Sequence, residues 1–173
     1  MDWVCISLLK ALQLEFNESE VISSPDEPPD VLFREARFEI KEIQDPGRRR
    51  HLEFKQALAK AEKATRASQL LEEFAPQNIT PSQIAELVLA QLTVLSLKYD
   101  AATRRANDLL FYVNLNDRYM QHEAVPGPQP FSASGWRSVS VFENEAAIVL
   151  LASSEAPVFL SRHQGVIEPR YRS

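Results

Sequence analysis

With a single cysteine, Cys5, the chain can build neither an internal disulfide nor a thiolate zinc cluster, and its cysteine usage fits a reducing compartment. On an early amphipathic helix such a thiol reads as core rather than nucleophile. Glycine is as scarce. Gly47, Gly127, Gly135 and Gly165 each stand alone, which excludes a Walker phosphate loop and the glycine-rich dinucleotide fingerprint. A G-x-S-x-G nucleophile elbow is absent too. His51, His122 and His163 are too scattered to form a helical metal pair, and each reads as a surface or supporting group.

An excess of basic charge is also missing. Lys and Arg number 19 against 24 Asp and Glu, a net of -5, so contact with phosphate must come from a local basic patch or a bridging cation. There is no long hydrophobic run. The longest, IAELVLAQLTVLSL over 84–97, contains Glu86 and Gln91 and is shorter than a membrane span requires. MDWVCISLLKALQLEF carries no basic leader and no small-residue cleavage site, and Lys10 interrupts it. The expectation is a soluble, cytoplasmic protein.

What is present suits one globular domain over 1–173: 173 residues with 45% hydrophobic composition suffice for a substantial core. Trp3, Leu8, Leu12 and Phe16 recur at helical spacing, predicting a first helix over 3–16. A short extended piece fits Glu20 to Ile22, and SSPDEPP (23–29) is a loop. Strands begin at Val31, a turn falls at Asp45-Pro46-Gly47, and a long helix covers 49–74 behind the basic cluster Arg48-Arg49-Arg50. Thr80-Pro81-Ser82-Gln83 has the residues of a capping box and opens a helix over 81–105, apolar on most sides and suited to central packing or a homodimer interface. DLLFYVNLN (108–116) reads as a buried strand and 118–135 as a long loop. WRSVSVF and AAIVLLAS, joined by Glu143-Asn144-Glu145, form an antiparallel pair, and a short helix fits 155–163. Strands interspersed with helices imply an α/β, mixed-sheet fold.

The stretch PPDVLFREARFEIKEI, Pro28 to Ile43, carries the chemistry. If Arg34 closes against Arg37 across Glu35-Ala36, then Phe33 pairs with Phe38, Leu32 with Glu39, Val31 with Ile40 and Asp30 with Lys41. Val31, Phe33, Phe38 and Ile40 then share one apolar face, and Asp30, Leu32, Glu39 and Lys41 share the other. Glu-Ala is a weak turn pair, and a longer loop of the same parity gives the same faces. Two neighbouring carboxylates can share a hard cation such as Mg²⁺, which binds phosphate oxygens and lowers the pKa of a water, while a lysine offsets charge developing on the phosphorus. The alternative reading of Glu39 and Lys41 is a pair of solvated charges.

Pro29-Asp30 followed by Glu39-Ile40-Lys41 resembles the signature of the PD-(D/E)xK nuclease superfamily. The resemblance implies a restriction-endonuclease-like αβββαβ core, a mixed sheet flanked by helices, here with an additional C-terminal hairpin. It further implies Asp30 and Glu39 as ligands of Mg²⁺ or Mn²⁺, the Ile40 carbonyl as another ligand, and Lys41 as the catalytic cation. Superfamily members often add an acid from the first helix, for which Asp2, Glu15, Glu18 and Glu20 are the candidates. A longer similarity through PPDVLF, RFE, GRR and GWRS looks like an uncharacterised bacterial family described as endonucleases.

The function so implied is metal-dependent hydrolysis of phosphodiesters, in DNA rather than RNA, with Arg37, Arg48, Arg49 and Arg50 contacting phosphate. Trp136 is read as packed, with base stacking as the other option. The alternatives are a catalytically degenerate nuclease-fold module that binds nucleic acid or a protein partner, and a structural oligomer built on the 81–105 helix.

Overall fold

A seven-stranded mixed sheet organises the computed structural model, which describes residues 2–45, 47, 50–66, 76–144 and 146–169, with the side chains of 50–54, 56 and 57 left aside. In spatial order the strands are β1 (Ile22–Ser23), β2 (Val31–Phe33), β3 (Ala36–Gln44), β5 (Asp108–Asn114), β7 (Ser138–Glu143), β8 (Ala146–Ala152) and β9 (Ile167–Pro169). The first three run antiparallel, β3, β5 and β7 are parallel, and β8 and β9 return antiparallel. Two short strands, β4 (Gln77–Ile79) and β6 (Arg118–Met120), make a separate parallel pair. The helices are α1 (Asp2–Ala11), α2 (Arg50–Lys63), α3 (Pro81–Lys98), α4 (Ala101–Ala106), α5 (Gln129–Ser132) and α6 (Val158–Ser161).

Both faces of the sheet are covered, and strand alternation decides which residues go where. Val31, Phe33, Phe38, Ile40, Leu110, Phe142 and Val149 pack with Leu8 and Leu9 of α1 and Leu160 of α6. On the opposite face Ile43, Leu109, Phe111, Val139 and Val141 pack with Ile84, Val88 and Leu92 of α3 and Phe131 of α5. Buried on both sides, β8 reads as a continuous apolar run, as central strands do, while β7 is buried at every position although Ser138, Ser140 and Glu143 are polar. The mixed α/β expectation therefore holds, with a sheet core flanked by helices. Among the described residues no helix is long and apolar enough to cross a membrane.

Several boundaries differ from expectation for local reasons. The first helix stops at Ala11 rather than continuing to Phe16, because Gln13 takes a left-handed φ of 54° and closes the last turn onto the Lys10 carbonyl at 3.1 Å. The helix expected over 81–105 is two helices. Tyr99 is extended (φ -110°, ψ 133°), and the Asp100 carboxylate accepts the Thr103 N–H at 2.7 Å, which starts α4 anew. Its capping box is as read: Thr80 and Gln83 bond reciprocally at 2.9 and 3.2 Å.

Elsewhere α2 ends at Lys63, so 64–66 of the helix expected over 49–74 are not helical, and 67–74 lie outside the described residues. The long loop of 118–135 contains β6 and α5, and only Val158–Ser161 of the predicted 155–163 helix is α-helical. The strands β4 and β9 were not anticipated; each is three residues long, too short to show a period.

Candidate functional site

The β2–β3 hairpin places the predicted acids, with one correction to its register. Val31 faces Phe38, Leu32 faces Arg37 and Phe33 faces Ala36, so the turn is Arg34-Glu35 rather than Glu35-Ala36. Arg34 adopts φ 50° to make it. The shift is two residues, which preserves parity. Val31, Phe33, Ala36, Phe38 and Ile40 are accordingly buried on the α1 face, and Glu39 and Lys41 point to the α3 face.

Asp30 comes to lie opposite Glu39. Its N–H donates to the Phe38 carbonyl at 2.9 Å, and its Oδ2 accepts the Ile40 N–H at 2.7 Å, so the carboxylate is turned across β3 just beyond the end of β2. Lys41 Nζ lies 4.0 Å from that oxygen and bonds directly to Glu39 Oε1. The hairpin thus brings Asp30, Glu39 and Lys41 together.

A fourth member was not singled out in the sequence. Tyr99, in the extended link between α3 and α4, donates its hydroxyl to the same Glu39 Oε1. Burial pushes the phenol's pKa up, reinforced by its hydrogen bond to Glu39 and by the charges of Glu39, Asp30 and Glu27, so it remains a donor. Lys98 Nζ sits 4.8 Å and Lys41 Nζ 5.9 Å from the centroid of its ring. The sequence signal would have been Tyr99-Asp100, an aromatic directly before a helix-capping acid.

Glu39 is only 3% exposed, which removes the solvated-charge reading for it. Its Oε1 takes both Tyr99 and Lys41, whereas its Oε2 is buried and has no hydrogen-bond partner. A buried carboxylate oxygen without a donor is costly. Asp30 and Glu39 could therefore hold a cation, although among the described residues no group of three or more His, Cys, Asp or Glu is placed to do so.

The candidate acids near the N-terminus are engaged elsewhere. Asp2 accepts the Ser23 hydroxyl at 2.9 Å, Glu18 pairs with Lys10 at 2.6 Å, and Glu20 pairs with Arg34 at 3.0 Å. For Glu15 the contact is its carbonyl, which accepts from Arg34 at 2.9 Å.

Arg37 is exposed on β3, two residues ahead of Glu39 on the same face. Arg48 and Arg49 lie outside the described residues, and Arg50 begins α2. Trp136 is 2% exposed and packs edge-on against Tyr99 with centroids 5.5 Å apart, so it supports the site and offers no face to a base. Arg137 forms a pair with the fully buried Asp108, whose carboxylate also accepts from Ser138 Oγ at 2.8 Å and the Arg37 N–H at 3.0 Å. Cys5 is buried with its thiol pushed up to about 12, chiefly by burial, and is core as expected. His163 contacts Glu168 at 2.8 Å, and His122 is exposed.

A family model described as "Putative endonuclease, protein of unknown function (DUF1780)" matches residues 2–168. No curated protein matches the chain. Among solved structures, a protein of unknown function from Pseudomonas aeruginosa strain PAO1, described as Monooxygenase Superfamily, is 26% identical. It superposes with a TM-score of 0.72, covering 96% of this chain and 79% of that one.

Proposed function

The chain belongs to this family of endonuclease description, and on that premise we propose that it is a single nuclease-like domain over 1–173 that hydrolyses DNA phosphodiesters with a divalent cation, Mg²⁺ or Mn²⁺. The observation that carries the reading is the buried, unpartnered Oε2 of Glu39 beside Asp30 and Lys41. The element order supports it as well. One helix, three antiparallel strands, intervening helices and a parallel fourth strand follow the αβββαβ order of the restriction-endonuclease-like core, with the β7–β8 hairpin added. The neighbour's monooxygenase description belongs to that protein; the acids and lysine gathered here suit phosphodiester hydrolysis.

In this reading Asp30 and Glu39 would hold the cation. A strand residue's C=O leaves on the same side as its N–H, so the Ile40 carbonyl, like the N–H bonded to Asp30, is directed past the end of β2 and would join them. Mg²⁺ needs few protein ligands because it retains waters and takes phosphate oxygens, and when bound it polarises the phosphate and acidifies a water. Lys41 exchanges its bond to Glu39 for a phosphate oxygen and offsets charge there. Tyr99 is a positioning residue: by holding Oε1 it fixes the orientation of the Glu39 carboxylate. Arg37 and Lys98, with Arg48, Arg49 and Arg50 after β3, supply the local positive charge that the net of -5 denies the molecule as a whole.

The test is to titrate Mn²⁺ and Mg²⁺ into wild type and Asp30→Ala and to assay both on supercoiled and single-stranded DNA. Saturable binding and metal-dependent cutting by wild type alone are expected. Nucleic-acid binding without either would leave the degenerate binding module in its place. One further observation favours a homodimer through α3: Val94 and Leu97, three residues apart, are 60% and 89% exposed. A solution mass of one chain at every concentration would exclude it.

A further inference from the structure

At the carboxyl end of β7 lies a groove of about 530 Å³, separate from the Asp30–Glu39 site. Ligands of parallel sheets bind at such strand ends. Met120, Ala146 and Pro169 give it apolar walls, Tyr119 and His122 approach from the β6 side, and Glu143 ends β7 inside it. Glu143 is 3% exposed and, among the described residues, contacts no basic side chain that would hold it as an anion. Its Oε1 accepts from Asn144 Nδ2 at 2.6 Å, and Asn144 is itself fixed to the Arg118 carbonyl at 2.8 Å.

The sheet register relates the groove to the proposed active site. Glu39 is aligned with Leu109 and Val139, and Ile43 with Val113 and Glu143. Glu143 and Glu39 therefore share the α3 face, two strands across and four residues along, a separation of roughly 16 Å at ordinary strand spacings.

We propose that this groove takes one unstacked nucleobase, read along its base-pairing edge by the carboxyl group of Glu143. A neutral carboxyl both donates and accepts on one edge, which complements an acceptor beside a donor, the arrangement on the pairing edges of adenine, cytosine and uracil. A carboxylate only accepts, and would suit guanine instead. Burial pushes Glu143 up to about 7, against the Met120 backbone, which favours the anion, so the donor form is present in neutral and mildly acidic solution. Half-exposed Tyr119 offers a ring to the base plane. Among the described residues, the other titratable groups near Glu143 are His122 and Tyr119 in the groove and Arg118 on β6; Glu168 on β9 occupies the opposite sheet face, with His163.

The identity of the ligand rests on the nuclease reading; its binding is tested apart from it, with nucleosides, which carry no phosphate for the Asp30–Glu39 site. Calorimetric titration of adenosine, cytidine, guanosine and uridine into wild type, Glu143→Gln, Glu143→Leu and His122→Asn at pH 6 and pH 8 is the experiment. Adenosine, cytidine and uridine should bind wild type at pH 6 and weaken about tenfold by pH 8 as the proton leaves a group titrating near 7, whereas guanosine, which suits the anion, should not. Glu143→Gln, which donates and accepts at either pH, should bind equally at both, and His122→Asn should keep the wild-type pH dependence whatever it does to affinity. Glu143→Leu should lose at least tenfold; where it does not fold, the flat profile of Glu143→Gln decides. No nucleoside binding, the same pH dependence for guanosine as for the other three, or a pH dependence abolished by His122→Asn would overturn the proposal. Cutting without nucleoside binding refutes the pocket alone, and nucleoside binding without cutting refutes the nuclease reading alone.

Discussion

Tyr99 and Lys41 hold the same oxygen of Glu39, one from the link after α3 and the other from the same strand two residues on, and leave its second oxygen buried without a donor. The carboxylate is thereby oriented before anything binds to it. A stability-driven arrangement would distribute the two donors over both oxygens.

Tyr99→Phe removes one of the two donors and should lower stability by about 1.5–3 kcal/mol without added metal, the ordinary worth of a hydrogen bond to a charged group. Saturating Mn²⁺ should restore part of the loss by binding the folded form. Urea unfolding with and without Mn²⁺ checks both; unchanged stability would mean that the hydroxyl contributes nothing to holding Glu39.

Lys41→Met separates binding from chemistry. Lys41 now occupies Glu39 Oε1 and lies 4.0 Å from Asp30, so its removal should leave Mn²⁺ affinity the same or stronger while cutting falls at least a hundredfold. Paramagnetic titration of Mn²⁺ beside a cleavage assay distinguishes this from a lysine that merely neutralises surface charge, whose loss would leave cutting intact.

Asp108 and Arg137 form the structural ion pair of the sheet, and Asp108 is fully buried. Asp108→Ala leaves a largely buried guanidinium unpaired and should cost about 3–5 kcal/mol. Combined with Arg137→Met, the loss should be smaller than for Asp108→Ala alone, because no uncompensated charge remains; chemical denaturation of the single and double variants measures the difference.

Glu143 sets a pH dependence of stability. Burial raises its pKa from 4.5 to about 7 in the folded protein, so between those values the unfolded chain has released a proton that the folded one retains. Stability should therefore fall as pH rises from about 4.5 to about 7, by up to about 3 kcal/mol, and then level off. Glu143→Gln should remove that decline. A parallel decline in the variant would assign it to another group.

Much of this was legible in sequence because burial constrains parity. Val31, Phe33, Phe38 and Ile40 had to share the core face, so Asp30, Glu39 and Lys41 had to share the other, although the partners themselves were displaced by two residues when Arg34 took the positive φ of the turn. The capping box at Thr80 was readable for a similar reason, since its signal is local. For Tyr99 the capping Asp100 marks the break in the helix, but its role depends on a contact with Glu39 sixty positions away in the chain, which the local sequence does not show. Trp136 and Arg137 likewise took their roles from tertiary partners, Tyr99 and Asp108, that no local pattern announces.

The central claim is that Asp30 and Glu39 hold one divalent cation between them, and an anomalous difference map from Mn²⁺-soaked crystals tests it most directly. The account predicts a peak within coordination distance, roughly 2.0–2.2 Å, of carboxylate oxygens of both residues. Well-occupied manganese elsewhere on the protein, with no peak between Asp30 and Glu39, would contradict it.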